Sequence, residues 1–135
     1  SGVRVKLNLA PEDLLIEADR IQIEQVLVNL LRNAMDAYEE GVFESPLIEL
    51  NTGSQAGMAQ IQVIDFGSGI EPGYIDRLFQ PYVTSKSKGL GMGLSITRTI
   101  VETHGGNIEV ESTLAKTGRA GRTTFTVSLP LLSIK

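Results

Sequence analysis

The chain has 135 residues, 41% of them apolar, with a formal net charge of −4 and no cysteine. This is enough for one domain with its own core. The acidic balance excludes a generic nucleic-acid binder, which needs a basic face, and the missing thiols exclude disulfides, zinc thiolate sites and cysteine nucleophiles and point to a reducing, cytoplasmic setting.

No run of about 18 apolar residues occurs, so no segment is expected to enter a membrane. Ser1 and Gly2 read as a tag remnant, which leaves residues 3–135 as a single domain cut from a longer protein. Residues 3–9, VRVKLNL, alternate apolar and polar and predict a strand closed by Pro11. Leu14, Leu15 and Ile16 predict a short second strand, and Asp19 is placed as a helix N-cap. From Ile21 to about Glu40 the period is helical, with Val26, Leu27, Leu30, Leu31, Ala34 and Ala37 on one face. Asn29 and Asn33 lie one turn apart along the edge of that face. On their own they are either two solvated surface amides or a pair of carbonyl oxygens offered to a hard cation such as Mg²⁺.

Gly41 and Pro46 end the helix, and Leu47–Thr52 and Ala59–Asp65 follow as an antiparallel hairpin whose polar loop contains Gly53 and Gly57. The second strand runs into Asp65, Phe66, Gly67, Ser68, Gly69 and Ile70. A carboxylate there can accept from an exocyclic amine while the glycines leave room for a flat ring; an Asx-type turn is the alternative. Residues 73–84 hold a helical turn and then Phe79, Tyr82 and Val83, which either pin the base of a loop or simply pack in the core. Gly89, Gly91 and Gly93 follow Lys86 and Lys88 and lead into a helix from about Met92 to His104, stopped by Gly105 and Gly106. Such a run is either a turn or a phosphate cradle, since glycines let backbone N–H groups approach an anion at a helix start. Its spacing matches neither the P-loop nor the dinucleotide fingerprint. Asn107–Ser112 and Thr123–Leu129 close the fold as strands, and Thr123 is placed to turn its hydroxyl inward.

Taken in order, NLLRNAMDA, DFGSG, LFQPYVTSK and GLGMGL resemble the N box, first glycine box, F box and second glycine box of the bacterial sensor histidine kinases. The resemblance runs from about Val3 to Pro130, and the subgroup most similar is the PAS-linked sensors of rhizobial nitrogen fixation and dicarboxylate uptake. It implies the α+β Bergerat (GHKL) fold, a two-layer sandwich in which a mixed, mostly antiparallel sheet is covered on one face by helices, with a short ATP lid at Ser85–Gly89. It also implies ATP and Mg²⁺ as ligands. Carried over, Asp65 would bind the adenine amino group, with Gly67, Gly69, Ile70 and Phe79 around the base and Thr123, or failing it Thr124, nearby. Asn33 would ligate Mg²⁺ beside Asn29, while Lys86, Lys88, Gly89, Leu90, Gly91, Gly93 and Leu94 would surround the phosphates.

The pattern departs from the gyrase, mismatch-repair and chaperone ATPases of the same superfamily, in which a glutamate precedes the magnesium asparagine by four residues. Here that residue is Asn29, and an amide cannot act as a general base at neutral pH. Transfer to a protein nucleophile is therefore expected rather than hydrolysis. The single histidine, His104, precedes Gly105 rather than an acidic residue and is expected to be structural. The phosphoacceptor histidine would then lie on a separate domain of the parent, with a response regulator beyond it, the fragment being a monomer and the parent a dimer, membrane-anchored or not. The alternatives are a GHKL-type ATPase, a serine kinase of the anti-sigma type and a noncatalytic nucleotide-binding module.

Overall fold

A computed structural model describes residues 2–39, 41, 43–80 and 91–132. The elements run β1 (Arg4–Asn8), α1 (Arg20–Asp36), β2 (Leu47–Gln55), β3 (Met58–Asp65), α2 (Pro72–Ile75), α3 (Gly91–Thr103), β4 (Asn107–Thr113) and β5 (Arg122–Pro130). The strands form one sheet in the order β1-β2-β3-β5-β4. β1 runs parallel to β2, and every other neighbouring pair is antiparallel.

Asp19 caps α1 as its side chain predicts, its Oδ1 accepting from the Gln22 N–H at 3.0 Å. Val26, Leu30 and Ala34 on the expected face are buried. The helix stops at Asp36 instead of continuing toward Glu40. Tyr38 and Glu39 donate to Met35 and Asp36 in tightened turns, and the Tyr38 ring turns inward to meet Phe43 edge-on at 5.0 Å.

The hairpin is longer than the sequence predicts. Gly53, expected in the loop, sits in β2 opposite Gln60, and the connection shrinks to Ala56 and Gly57. Both have positive φ, 55° and 78°, as a two-residue turn matched to strand twist requires. The ladder on either side outweighs the strain at Ala56. Leu14–Ile16 form no strand: Leu15 accepts one bond, from the Leu132 N–H at 2.7 Å, and Ile16 packs against the core. Ile16 fills space against the core rather than extending a ladder, and Leu15 stays exposed.

Register sets the two faces of the sheet. Leu50, Val63, Phe125 and Val110 form one cross-strand row, and Thr52, Ile61, Val127 and Ile108 the next. This face meets α1 and α3, and the core lies between them, with Val26, Leu30, Val63, Val101, Phe125 and Val127 fully buried. The other face is largely polar, bonded across strands by Gln60 to Ser128 and Gln62 to Thr126. Val5 and Leu7 of β1 align with Ile48 and Leu50 on the helix side, yet they are 51% and 57% exposed at the sheet edge. No helix among the described residues is long and apolar enough to cross a membrane.

Candidate functional site

One cross-strand row at the end of the sheet departs from the apolar pattern. It reads Ile48, Asp65, Thr123 and Ser112 across β2, β3, β5 and β4. Asp65 and Thr123 are each only 3% exposed. Thr123 stands opposite Asp65, whereas Thr124 pairs with Ile64 on the far face. Asp65 Oδ1 accepts the Gly67 N–H at 3.0 Å. This is the Asx-type contact; a carboxylate has about four lone-pair sites, so such a turn and a base-binding role are not exclusive readings.

The loop after β3 is pinned along its length. Tyr38 Oη accepts the Phe66 N–H at 2.7 Å and donates to the Leu47 carbonyl at 2.5 Å. The Ser68 carbonyl accepts from the Ala115 N–H at 2.9 Å. Ser112 Oγ accepts the Ile70 N–H at 2.8 Å and lies 2.8 Å from the Thr123 hydroxyl. Gly69 has φ of 86°, and a Cβ there would lie 2.4 Å from the Thr113 carbonyl oxygen. Glycine is required on both counts. Burial pushes the Tyr38 hydroxyl above the ordinary tyrosine range; the charge of Asp65 adds to this, and the Phe66 N–H pulls against both.

The second part of the site lies between α1 and α3. Asn29, Arg32, Asn33, Gly93 and Leu94 line a small cleft of about 40 Å³. Asn29 Nδ2 donates to Thr97 Oγ1 at 3.2 Å and, more loosely, to the Gly93 carbonyl at 3.4 Å. Thr97 is fully buried and donates its own proton to the same carbonyl at 2.8 Å. This orients the Asn29 amide, nitrogen toward α3 and carbonyl oxygen away from it. Gly91 and Gly93 lie in the first turn of α3 rather than in a loop ahead of it.

α1 joins the two parts. A Cβ on Gly67 would touch Ala37, at 3.0 Å from both its Cβ and its carbonyl oxygen. Ala37 is one turn beyond Asn33 and two beyond Asn29. The carboxylate loop thus abuts the end of α1, with the two amides about 6 and 12 Å back along its axis.

Phe79 meets Phe125 edge-on at 6.3 Å, with the Arg98 guanidinium 5.8 Å from its ring centre. Leu94 is buried, and Ile70 is half-buried. Lys86, Lys88, Gly89 and Leu90, together with Tyr82, Val83 and the expected lid at Ser85–Gly89, lie outside the described residues. His104 is structural, as expected. Its Nδ1 faces the Ile100 carbonyl at 2.8 Å and its Nε2 accepts the Asp19 N–H at 3.1 Å, tying the end of α3 to the cap of α1.

Sequence reasoning passed over Arg32, Tyr38, Thr97 and Ser112. Arg32 had a local signal, a cation inside the asparagine motif NLLRNA. Ser112 had a fainter one, a hydroxyl where Ile108 and Val110 set an inward alternation.

The sequence matches the family model described as "Histidine kinase-, DNA gyrase B-, and HSP90-like ATPase" over residues 18–133. It is 41% identical over 129 residues to the sensor protein FixL of Bradyrhizobium diazoefficiens, an alignment covering 96% of this chain and 24% of that protein. To the C4-dicarboxylate transport sensor protein DctB of Rhizobium meliloti it is 43% identical over 125 residues, covering 93% and 19%. The chain therefore spans a quarter or less of these relatives. The nucleotide-free catalytic domain of histidine kinase ThkA superposes with a TM-score of 0.76 at 32% identity, over 95% of this chain and 78% of that one. A mycobacterial sensor histidine kinase, MprB, shares the fold with a TM-score of 0.81 at 20% identity, over 98% and 86%.

Proposed function

The chain belongs to the histidine kinase-, DNA gyrase B- and HSP90-like ATPase family, and from that premise we propose that it binds Mg-ATP and donates the γ-phosphoryl group to a histidine on a separate domain of its parent protein. The observation that carries this reading is the layout along α1. A buried carboxylate beside a glycine loop sits at the helix end, and two amides that can face phosphates and a cation follow one and two turns back.

In this reading Asp65 accepts from the adenine amino group, Thr123 stands beside it, and Gly67, Gly69 and Ile70 line the ring. Phe79 holds the wall behind the base through Phe125. Gly91, Gly93 and Leu94 bring the start of α3 to the phosphates, with Arg32 at the rim, and Lys86, Lys88, Gly89 and Leu90 complete the set. No group of three or more acidic or histidine side chains among the described residues could hold a metal ion. A cation would take its oxygens from the Asn33 amide, the phosphates and water, a donor set that suits Mg²⁺. Bound there, Mg²⁺ would neutralise charge on the phosphates.

Asn29 then acts by position. Its amide spans α1 and α3 and has no basic atom with which to deprotonate water. Direct attack by water goes unassisted, and the γ-phosphoryl group waits for a protein nucleophile. His104 is not that nucleophile, since both ring nitrogens are engaged within the fold. The acceptor lies on another domain, and a response regulator takes the phosphoryl group from it.

Titration of the chain with a nonhydrolysable ATP analogue, with and without Mg²⁺, followed by an overnight phosphate-release assay with ATP, tests the reading. Magnesium-dependent binding with negligible release supports it. Steady turnover would make the chain an ATPase, and absence of binding would overturn the nucleotide reading altogether.

A further inference from the structure

The loop Phe66–Ile70 is held at both ends by hydroxyl groups from outside it. Its first N–H, of Phe66, donates to Tyr38 Oη at 2.7 Å, and its last, of Ile70, donates to Ser112 Oγ at 2.8 Å. Proton bookkeeping fixes the direction at Tyr38. The amide can only donate, so the tyrosine's single proton goes to the Leu47 carbonyl, where β2 begins. Ser112 repeats the arrangement on the far side. It accepts from Ile70, and its own proton has the Arg122 carbonyl at 3.2 Å and the Thr123 hydroxyl at 2.8 Å within reach, where β5 begins.

Each hydroxyl thus ties one end of the loop to the sheet, and Asp65 lies between the two ties. On one side its charge is felt by Tyr38; on the other, Thr123 and Ser112 continue its row. Both hydroxyls hold backbone N–H groups of the loop, and Gly67 and Gly69 between them pack closely against Ala37 and Thr113.

We propose that Tyr38 and Ser112 are positioning residues that together set the span of the Phe66–Ile70 loop and so the selectivity of the site for adenine over a 6-oxo purine. The inference rests on the nucleotide reading of the site. A loop held at both ends keeps Asp65 and the Gly67–Gly69 backbone at fixed separation, so a base presenting the wrong edge meets a rigid mismatch. With one tie cut, the loop relaxes around either base. Tyr38→Phe keeps the ring and its contact with Phe43 and removes only the oxygen; Ser112→Ala does the same at the other end.

The test is the ratio of affinities for nonhydrolysable ATP and GTP analogues, measured by titration calorimetry on wild type, Tyr38→Phe, Ser112→Ala and Ser112→Thr. Wild type should prefer the ATP analogue, and each hydroxyl deletion should shrink that preference by about fivefold, the equivalent of one hydrogen bond. Ser112→Thr, which keeps a hydroxyl, should restore it. A purely structural role would weaken both nucleotides together and leave the ratio unchanged, which would overturn the proposal. So would a wild type that binds both analogues equally, or deletions that keep full selectivity; in either case the nucleotide reading stands. A wild type that binds neither analogue removes both. Should Tyr38→Phe fail to fold, the Ser112 pair decides the matter alone.

Discussion

Asp65→Asn separates charge from shape at the buried carboxylate of the site. The side chain is 3% exposed and already accepts the Gly67 N–H at 3.0 Å. Asparagine occupies almost the same volume and can keep that bond through its carbonyl oxygen, so the turn and the fold should survive. What changes is the second oxygen, which becomes an NH₂ donor where the proposed function needs an acceptor for the amino group of adenine. A hydrogen bond to a charged acceptor contributes about 1.5–3 kcal/mol, so its loss should weaken an ATP analogue by about 10- to 100-fold. Binding of a GTP analogue should fall less, because its 6-oxo group can accept from the new donor. Titration calorimetry reads both affinities, and a thermal melt establishes that the fold is retained. If Asp65→Asn bound the ATP analogue as tightly as wild type while melting normally, the assignment of Asp65 to the base would be wrong.

Asn33→Ala should leave nucleotide binding without Mg²⁺ largely intact and remove most of the gain that Mg²⁺ brings, and in the parent protein it should abolish phosphoryl transfer; transfer that survives would move the metal site elsewhere. The raised Tyr38 hydroxyl has a signed consequence for stability. Its contribution is complete below the ordinary tyrosine value of about 10 and is lost as pH rises through the higher folded value, because the unfolded chain then releases the proton first. Urea midpoints between pH 8 and 11 should therefore fall more steeply for wild type than for Tyr38→Phe, and parallel curves would refute this. Gly69→Ala forces a side chain into the left-handed region and against the Thr113 carbonyl, so it should cost about 1–3 kcal/mol of stability in chemical unfolding.

The parts of this molecule that were legible in its sequence are those decided within a few residues. The apolar face of α1, the Asp19 cap, the glycine stop after α3 and the inward alternation of Thr123, Phe125, Val127 and Leu129 follow from local periodicity and side-chain chemistry, and they stand in the structure. The carboxylate at the end of an apolar strand could be read as a candidate for the same reason. Tertiary partners were not encoded locally. Nothing near Leu14–Ile16 says that Ile16 packs against the core rather than pairing in a ladder, and nothing near Gly53 says that β2 continues past it to a turn at Ala56. The alternation in VRVKLNL predicts a strand but not that Val5 and Leu7 stay exposed at the sheet edge. Tyr38 and Ser112 were missed for the same reason: each acts on an N–H group that lies 28 or 42 positions away along the chain.

The tight turn at Ala56 and Gly57 works as a ruler. It fixes which residue of β3 faces which residue of β2, and β3 in turn pairs with β5. Asp65 is the last residue of that eight-residue strand, about 25 Å from the turn. Because strand side chains alternate between faces, a slip of one residue at the hairpin tip would present Ile64 to the helices and turn the carboxylate outward. The position of the most buried charge in the site is thus measured from the opposite end of the molecule, by two residues that never come near it.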